Sequence, residues 1–238
     1  MPAVQHITRT GQFLTTVAGL NTLSPRMRRI VLTSPEIAGR DWPLACDIAV
    51  VLTGPDGREV RRRYTVRSAA GEQLVIDAVL HGQGPGSSWA QSLQVGSQVS
   101  FFGPRGELPL PPETSASWLL ALTDEAGLPA IGALAEAAAA AGRDLQVLAE
   151  ISDDSERYPL PANAEPGWLT RDGRPAGHPE LLVDALDQVR PGTGPGYAYL
   201  LGESRAVVTV RDELARFGLS RSEVYAKGYW NLNSRPTR

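Results

Sequence analysis

An arginine-rich, strand-like segment and a glycine-rich turn shortly after it hold the residue types best suited to chemistry. The segment reads Arg62-Arg63-Tyr64-Thr65-Val66-Arg67, and the turn reads His81-Gly82-Gln83-Gly84-Pro85-Gly86-Ser87-Ser88-Trp89-Ala90. The turn leads into a predicted helix, whose free amides and dipole favour an anion. A planar ring system with a diphosphate tail needs a flat polar surface beside the ring and donors at the phosphates. The two segments together therefore indicate a bound flavin.

Taken alone, the first segment has a plainer interpretation. On a strand, the even-numbered residues from Arg62 to Val66 point to one face and the odd-numbered residues from Arg63 to Arg67 to the other. An exposed strand with a solvated arginine face fits equally well. The turn at Gly84–Trp89 shifts the balance toward a ligand, although turns of Gly, Pro and Ser are common.

The composition is that of an ordinary globular protein. The 238 residues are 42% hydrophobic and 21% charged, which is enough chain for one large domain or two small ones. A net charge of -3 argues against a general nucleic-acid binder. Lys227 is the only lysine, so the positive charge comes almost entirely from arginine, whose planar fork of donors suits phosphates and carboxylates.

Cysteine and histidine are too few and too scattered for a metal site. Cys46 is the single cysteine, which excludes an intrachain disulfide and a cysteine-based zinc or iron–sulfur site. His6, His81 and His178 lack metal-ligand spacing. Any redox chemistry then needs an organic cofactor or a metal carried by the substrate. We see no signal peptide and no run of about 18 apolar residues, so we expect a cytoplasmic protein without stable membrane association.

Residues 1 to about 110 have the rhythm of short strands between turns, which favours an antiparallel barrel or sandwich. One short helix is predicted near Ser87–Leu93. The predicted strands are Gln12–Leu20, Arg28–Thr33, Asp47–Thr53, Arg61–Arg67, Gln73–Leu80 and Ser97–Phe102.

The pattern changes after the proline cluster Pro109–Pro112, which is a predicted linker. Strands then alternate with helices, which favours a parallel doubly wound sheet. The region 152–178 is predicted to be irregular. The predicted strands are Ser117–Thr123, Leu145–Ile151, Tyr197–Leu201 and Val224–Ala226, and the predicted helices are Leu128–Ala141, Pro179–Val189 and Ser204–Phe217.

Six segments in this order resemble the siderophore-interacting protein family. They read RRYTVR, HGQGPGSSWA, FFGPRGELPL, WLLALTDEAGLPAI, LLGESRAVVTVRDEL and YAKGYW. Those proteins are FAD-dependent ferric-siderophore reductases of the ferredoxin-NADP-reductase-like superfamily. The resemblance implies an N-terminal antiparallel β-barrel that binds FAD, over residues 1–110. It also implies a C-terminal α/β domain with a doubly wound parallel sheet, NAD(P)H-binding-like, over residues 111–238.

The resemblance also implies roles for individual residues. Arg62 would meet the FAD phosphates, while Tyr64 would flank the isoalloxazine ring and Thr65 would hydrogen-bond near its reactive nitrogen. Tyr64 and Thr65 are thus the candidate catalytic residues. For His81 and Trp89, core packing is an equal alternative to a cofactor contact. The remaining cofactor contacts would come from Val66, Arg67, His81, Gly84, Pro85, Gly86, Ser87, Ser88 and Trp89.

The C-terminal half departs from the family at its nucleotide motif. The family reads roughly Gly-Asp-Glu-Thr-Ala-Leu-Pro-Ala, whereas this chain reads Thr123-Asp124-Glu125-Ala126-Gly127-Leu128-Pro129-Ala130. The leading glycine and the threonine hydroxyl are both replaced. Asp124 and Glu125 at a helix start also have a plainer role in stabilising the helix dipole.

The same resemblance supplies the other candidate residues of the C-terminal half. Glu203 belongs to a matching Gly-Glu pair, and Trp230 would cover the flavin, contact substrate or simply anchor the C-terminus. Two cations are candidate substrate contacts on their charge alone, because a cation suits an anionic ligand: Lys227 in the C-terminal half and Arg105 in the N-terminal half. The residues predicted to contact the cofactor or a nicotinamide nucleotide here are Thr123, Asp124, Glu125, Glu203 and Trp230.

The leading functional hypothesis is reductive release of iron from a ferric siderophore, with FAD passing single electrons to Fe(III). The electron donor is open between NAD(P)H and a ferredoxin. A general flavin reductase, or the reductase partner of an oxygenase, is a second hypothesis. A third is a module that binds a siderophore or flavin without turnover.

Overall fold

The structure is a computed structural model that describes residues 11–54, 56–82 and 84–232. His6 and Gln83, which the sequence analysis singled out, lie outside the described residues. Contacts divide the chain into two compact units, of which the first ends at Glu107 and the second starts at Leu108. No helix in the part of the chain that the structure describes is long and apolar enough to cross a membrane.

The first unit is a closed antiparallel barrel, as predicted. Six strands follow one another around it in the order β1-β2-β5-β4-β3-β6, and one helix, α1, lies between β5 and β6 in sequence. The bounds are β1 Gln12–Ser24, β2 Met27–Thr33, β3 Asp47–Thr53, β4 Glu59–Ala70, β5 Gln73–Val79, α1 Pro85–Ser92 and β6 Gln98–Arg105.

Alternating residues fill the barrel interior. Ile48 and Val50 of β3 are fully buried, and the rings of Phe13 and Phe101 stack with their centroids 5.0 Å apart. Ala90 at the end of α1 belongs to the same apolar core, so the helix packs against the barrel along this side. Each such buried side chain contributes about 1.5–3 kcal/mol. Cys46 lies in this core as well, as a small buried apolar side chain.

The second unit is a five-stranded parallel sheet with helices, also as predicted. The strand order is β11-β10-β7-β8-β9, and every neighbouring pair is parallel. The first strand of this sheet, β7, is its central strand. The strands β8 and β9 follow on one side of β7, and the chain then crosses to β10 and β11 on the other side. The bounds are β7 Trp118–Thr123, α2 Leu128–Ala140, β8 Leu145–Ile151, β9 Ala164–Thr170, α3 Glu180–Ala185, β10 Gly196–Glu203, α4 Ser204–Glu213 and β11 Val224–Trp230.

The prediction that region 152–178 is irregular is wrong for its middle part, because β9 lies there. The strand was not predicted because it contains Pro166 and Gly167, and both residue types are unfavourable in a strand interior. β9 is an edge strand that pairs only with β8, and an edge tolerates a proline whose missing N–H faces away from the ladder. The last strand is also longer than predicted, because β11 runs on to Trp230.

The proline cluster between the units is packed against the second unit. Tyr199 Oη donates to the carbonyl of Pro109 over 2.8 Å. The guanidinium of Arg143 donates to the carbonyl of Pro111 over 2.6 Å and also to that of Ala116. The side chain of Leu108 is buried as well. The segment from Leu108 to Ala116 is therefore an ordered part of the second unit.

Candidate functional site

Strand β4 and helix α1 bring four of the predicted site residues together in the barrel. Tyr64 Oη donates to the carbonyl of Gly86 over 3.3 Å, and the Tyr64 ring lies 5.2 Å from that of Trp89. A Cβ on residue 86 would lie 2.9 Å from Tyr64 Oη and 3.5 Å from Arg62 Cγ. Glycine at this position thus allows the start of α1 to lie directly against the side chains of β4.

Burial of the phenol fixes the protonation state of Tyr64. Desolvation raises its pKa well above the usual range, and the charge of Arg62 lowers it by less. Tyr64 Oη therefore keeps its proton and acts as a hydrogen-bond donor.

Exposed and half-buried side chains alternate along the first part of β4, as predicted for a strand, but this alternation is lost from Thr65 to Arg67. Arg62 and Tyr64 are half-buried and Arg63 is exposed, but Thr65, Val66 and Arg67 are all buried. A register shift follows between Val66 and Ser68, where β4 pairs with β5 and no longer with β3. A bulge of this kind re-aims the side chains next to it.

The turn before α1 is held by a serine. Ser87 Oγ accepts from the amide of His81 over 2.9 Å and donates to its carbonyl over 3.1 Å, and the serine is buried. Ser88 is exposed and His81 is exposed, so His81 is not a core residue. The Ser87 hydroxyl therefore holds this turn together, and the cofactor contact of Ser87 through its backbone amide stays a prediction.

Arg28 of β2 holds the opposite end of α1, and the sequence analysis missed it. Its Nη1 donates to the carbonyl of Ala90 over 2.6 Å and to that of Gln91 over 2.9 Å, while Nη2 reaches the carbonyl of Leu93 over 3.2 Å. A cation at the last carbonyls of a helix satisfies groups that lack a partner within the helix. Arg28 therefore fixes α1 with its first turn beside β4.

The start of α1 has the properties that a diphosphate needs. Gly84 is the N-cap, Pro85 occupies the first turn, and no side chain caps the amides within the described part of this turn. A Cβ at Gly84 would have no atom within 4 Å, so the approach to the amides is open. Arg62 Nη1 contacts only the carbonyl of its neighbour Arg61 among the described bonds, which leaves further donors of its guanidinium for an anion. These residues fit the phosphates of FAD.

The second cluster lies in the parallel sheet, where the chain order reverses between β7 and β10. Ligands of open α/β sheets bind at the carboxyl ends of the strands at such a switch point. Asp124 directly follows β7, and Glu203 ends β10. Trp230 ends β11, the next strand along this side. The predicted nucleotide residues of the second unit therefore meet at one edge.

Asp124 is the centre of this cluster. Its Oδ2 accepts from Trp230 Nε1 over 2.7 Å and from the amide of Glu203 over 2.9 Å, and its Oδ1 accepts from the amide of Ala126 over 2.9 Å. Full burial raises the pKa of Asp124 to about 6 despite these three donors, and the nearby charge of Glu125 adds to the rise. The Trp230 indole is therefore hydrogen-bonded to the Asp124 carboxylate of the same unit.

A buried arginine ties two further carboxylates together beside Asp124. Arg171 donates to both oxygens of Glu125, over 2.6 and 2.9 Å, and to Glu150 Oε1 over 3.0 Å. Burial works against the charge of Arg171, but Glu125 and Glu150 outweigh it and raise its pKa. Burial also raises the pKa of Glu150, to about 7, against the opposing effect of Arg171. Glu150 and Arg171 were not predicted, because nothing in their local sequence marks them.

Glu203 is a helix cap. Its Oε2 accepts from the amides of Arg205 and Ala206 at the start of α4, and its Oε1 accepts from the amide of Leu232 over 3.1 Å. Burial works to raise the pKa of Glu203, but these amide donors outweigh it and hold the pKa below the usual value. Thr123 is also buried, and its hydroxyl donates to the carbonyl of Asp124 over 2.9 Å.

The two predicted substrate residues belong to different units. Arg105 is exposed at the end of β6 in the barrel. Lys227 is half-buried on β11, with its Nζ 5.1 Å from the centre of the Tyr229 ring. Among the residues that the structure describes, no group of three or more His, Cys, Asp or Glu side chains could hold a metal ion.

The raised pKa values of Asp124 and Glu150 predict a fall in stability as the pH rises from 5 to 7.5. In the unfolded chain both carboxyls titrate near 4, so within this window the folded state binds more protons than the unfolded state. Each carboxyl then contributes a slope of at most about -1.4 kcal/mol per pH unit. Glu150→Gln should flatten the pH dependence of the unfolding free energy, measured by urea denaturation at several pH values.

The exposed Glu165 of β9 provides the control for this measurement. Glu165→Gln removes the same charge from the surface and should leave the slope unchanged. An equal slope in the wild type and in Glu150→Gln would contradict the prediction.

Family models match both units of the chain. A model described as the siderophore-interacting FAD-binding domain matches residues 49–108, and one described as siderophore-interacting protein matches residues 116–233. Over 184 residues the chain is 33% identical to the ferric vibriobactin reductase ViuB of Vibrio cholerae, in an alignment that covers 74% of this chain and 66% of that protein. The chain thus spans just under two thirds of that relative's length.

Two further proteins are similar over most of the chain. An NADPH-dependent ferric-chelate reductase of Escherichia coli is 28% identical over 186 residues, which cover 74% of this chain and 69% of that protein. The crystal structure of a siderophore utilization protein from T. fusca superposes with a TM-score of 0.83 and 29% identity over 95% of both chains. Since the two family models together match about three quarters of the chain, in the order of its two units, the chain belongs to the siderophore-interacting protein family.

Proposed function

We propose that this chain is an FAD-dependent oxidoreductase that reduces Fe(III) held by a siderophore and so releases the iron as Fe(II). The observation that carries the proposal is the contact between β4 and α1, where Gly86 lies against Tyr64 and Arg62. This contact puts a flat polar side chain and an arginine next to the open start of a helix. The FAD-binding family model covers these residues, and the relatives from Vibrio cholerae and Escherichia coli carry reductase names.

The residues of the barrel bind and orient the cofactor in this proposal. Arg62 and the amides from Gly84 to Ser88 hold the phosphates, with Arg28 fixing the helix from behind. Tyr64 lies beside the ring system and keeps its proton because of burial. Thr65 is buried next to it on β4 and supplies its hydroxyl near the ring. The remaining predicted contacts, Val66, Arg67, His81, Pro85 and Trp89, stay predictions.

FAD, when bound, supplies the chemistry that accepts an electron pair from a donor and delivers electrons singly to Fe(III). The protein needs no acid or base for this transfer. Hard oxygen ligands hold Fe(III) more tightly than Fe(II), because the reduced ion has a lower charge and a larger radius, so reduction loosens the chelate. We propose NAD(P)H or a ferredoxin as the donor and the cytoplasm as the place of the reaction.

Charge favours an anionic ferric chelate at the barrel. Residues 1–107 contain 11 arginines and 8 acidic residues, whereas residues 108–238 contain 12 basic and 18 acidic residues. A local excess of positive charge raises the concentration of an anionic substrate and its rate of association. Arg105, exposed at the end of β6, is the candidate substrate contact on this unit, and Lys227 is the candidate on the other.

The test is to load the purified protein with FAD, add a ferric siderophore, and follow Fe(II) with a chromogenic chelator. We expect Fe(II) to form with at least one of NADH, NADPH and a reduced ferredoxin, and only in the presence of FAD. Faster reduction of free flavins or quinones than of ferric chelates would instead indicate a general reductase. Tight siderophore binding with no Fe(II) above a protein-free control, for any donor, would show a binding module and contradict the proposal.

A further inference from the structure

The segment from Leu80 to Leu93, which contains the glycine-rich turn and α1, is tied at both ends to the hairpin of β1 and β2. At its start, the amide of Leu80 donates to the carbonyl of Arg26 over 2.7 Å. At its end, the guanidinium of Arg28 donates to two carbonyls in the last turn of α1, over 2.6 and 2.9 Å, and to the carbonyl of Leu93 over 3.2 Å. The amides at the start of α1 thus lie in a loop whose two ends are held by nearby residues.

Helix α1 depends on contacts outside itself. It has only eight residues, and so short a helix is not stable alone in water. The hydroxyl of Ser87 bonds to His81 at its start, and Ala90 is buried in the barrel core. The sequence of its last turn contains no basic residue. Arg28 therefore supplies the donors that the last carbonyls lack, while Ser87 and Ala90 keep the helix in contact with the barrel without it.

The charge of Arg28 is also placed to act on the helix dipole. Its neighbour Arg29 donates to both oxygens of Asp77, each over 2.7 Å. Among the residues that the structure describes, Arg28 instead contacts backbone carbonyls and no carboxylate. A full positive charge therefore lies at the negative end of α1, where a cation is favourable. The positive end, at Gly84, is left to attract an anion.

We propose that Arg28 is a positioning residue, which holds α1 in the orientation in which its first amides bind the diphosphate of FAD. The inference rests on the proposed function, because it takes FAD as the ligand of the barrel. A loop that is already held in its bound conformation has less freedom to lose on binding, which raises affinity. Without Arg28 only a fraction of the molecules hold α1 in this orientation, and the affinity for FAD falls by that fraction.

The test measures the binding of FAD and riboflavin to the full chain, stripped of flavin, by quenching of flavin fluorescence. Arg28→Ala should weaken FAD binding about tenfold or more, the factor expected when hydrogen bonds from a charged group are lost. It should change riboflavin binding by less than about twofold, because riboflavin has the ring system and no phosphate. Arg28→Lys keeps a cation and a donor at the helix end and should bind FAD within about threefold of the wild type.

The matched control is Arg58→Ala. This variant also removes one charge from the barrel, at a side chain that is 81% exposed in the turn before β4. It should change neither affinity by more than about twofold. An FAD loss as large in Arg58→Ala as in Arg28→Ala would show an effect of net charge and overturn the positioning role.

The other outcomes separate the positioning role from the proposed function. Equal FAD affinity in the wild type and in folded Arg28→Ala would overturn the role, and so would equal losses for FAD and riboflavin. Should circular dichroism show that Arg28→Ala is unfolded, Arg28→Gln takes its place, and a loss of FAD affinity below about threefold overturns the role. A wild type that binds FAD but reduces no ferric siderophore would contradict the proposed function alone, and a wild type that binds no FAD would contradict both.

Discussion

Replacing Gly127 by alanine is expected to lower the free energy of unfolding by about 3 kcal/mol, near the upper end of the usual cost of overpacking. A Cβ on residue 127 would overlap Thr123 Oγ1 and would lie 2.6 Å from Leu201 Cβ and 3.2 Å from the Leu201 carbonyl oxygen. The backbone itself is not the obstacle, because φ -91° and ψ -14° at Gly127 suit alanine. Urea denaturation of the purified variant measures the loss.

Two positions at which this chain departs from the motif that it resembles lie against each other in the structure. That motif has glycine at the position of Thr123 and alanine at the position of Gly127. The Thr123 side chain is fully buried and fills the space that a Cβ at residue 127 would need. The two differences therefore compensate each other, and the motif is repacked.

A double-mutant cycle tests this compensation. Thr123→Gly combined with Gly127→Ala should cost about 1–3 kcal/mol less than the sum of the two single substitutions, as is usual for residues in contact. Gly84→Ala is the control for a glycine substitution as such, because its φ is -66° and a Cβ there would meet no atom within 4 Å. It should change stability by less than about 1 kcal/mol. Additive costs for Thr123→Gly and Gly127→Ala would contradict the compensation.

Local patterns in the sequence predicted the fold well where each element is stabilised by its own residues. Strand β3 is a short apolar run between turns, and its predicted bounds Asp47–Thr53 are those observed. Strand β7 is a continuous apolar run, as is typical of parallel sheets, and it begins one residue later than predicted, at Trp118. The predicted bounds of β8 were also right. Pro85 begins α1 and Gly142 follows α2, in agreement with the usual positions of these residues at helix ends.

The contacts that shape the two sites could not be predicted from local sequence patterns, because they join residues that are far apart in the chain. Arg28 meets the end of α1 across 62 residues, and Arg171 meets Glu125 across 46. Trp230 meets Asp124 across 106 residues. Each partner alone is an ordinary charged or aromatic residue with no local signal. Burial of Thr65 and Arg67 was not predicted either, because alternation along β4 does not show which part of a strand's face is covered by residues distant in sequence.

The barrel site leads to the second large effect, which concerns Arg62. Arg62→Ala should weaken FAD binding roughly 10- to 150-fold, because hydrogen bonds to charged groups contribute about 1.5–3 kcal/mol. The control is Arg63→Ala, because Arg63 is exposed on the other face of β4 and its replacement removes the same charge. This variant should keep an FAD affinity within about twofold of the wild type. Both affinities follow from quenching of flavin fluorescence on titration.

Riboflavin separates a role at the phosphates from a general disturbance of the barrel. It has the ring system of FAD and no phosphate, so Arg62→Ala should change its affinity by less than about twofold if Arg62 acts on the diphosphate. Equal losses for FAD and riboflavin would show that Arg62 shapes the ring site or the fold, and an equal loss in Arg63→Ala would show that only the net charge of the barrel matters. Because a Cβ on residue 86 would lie 3.5 Å from Arg62 Cγ, the aliphatic part of Arg62 passes close to the start of α1, and a selective loss for FAD is the expected result.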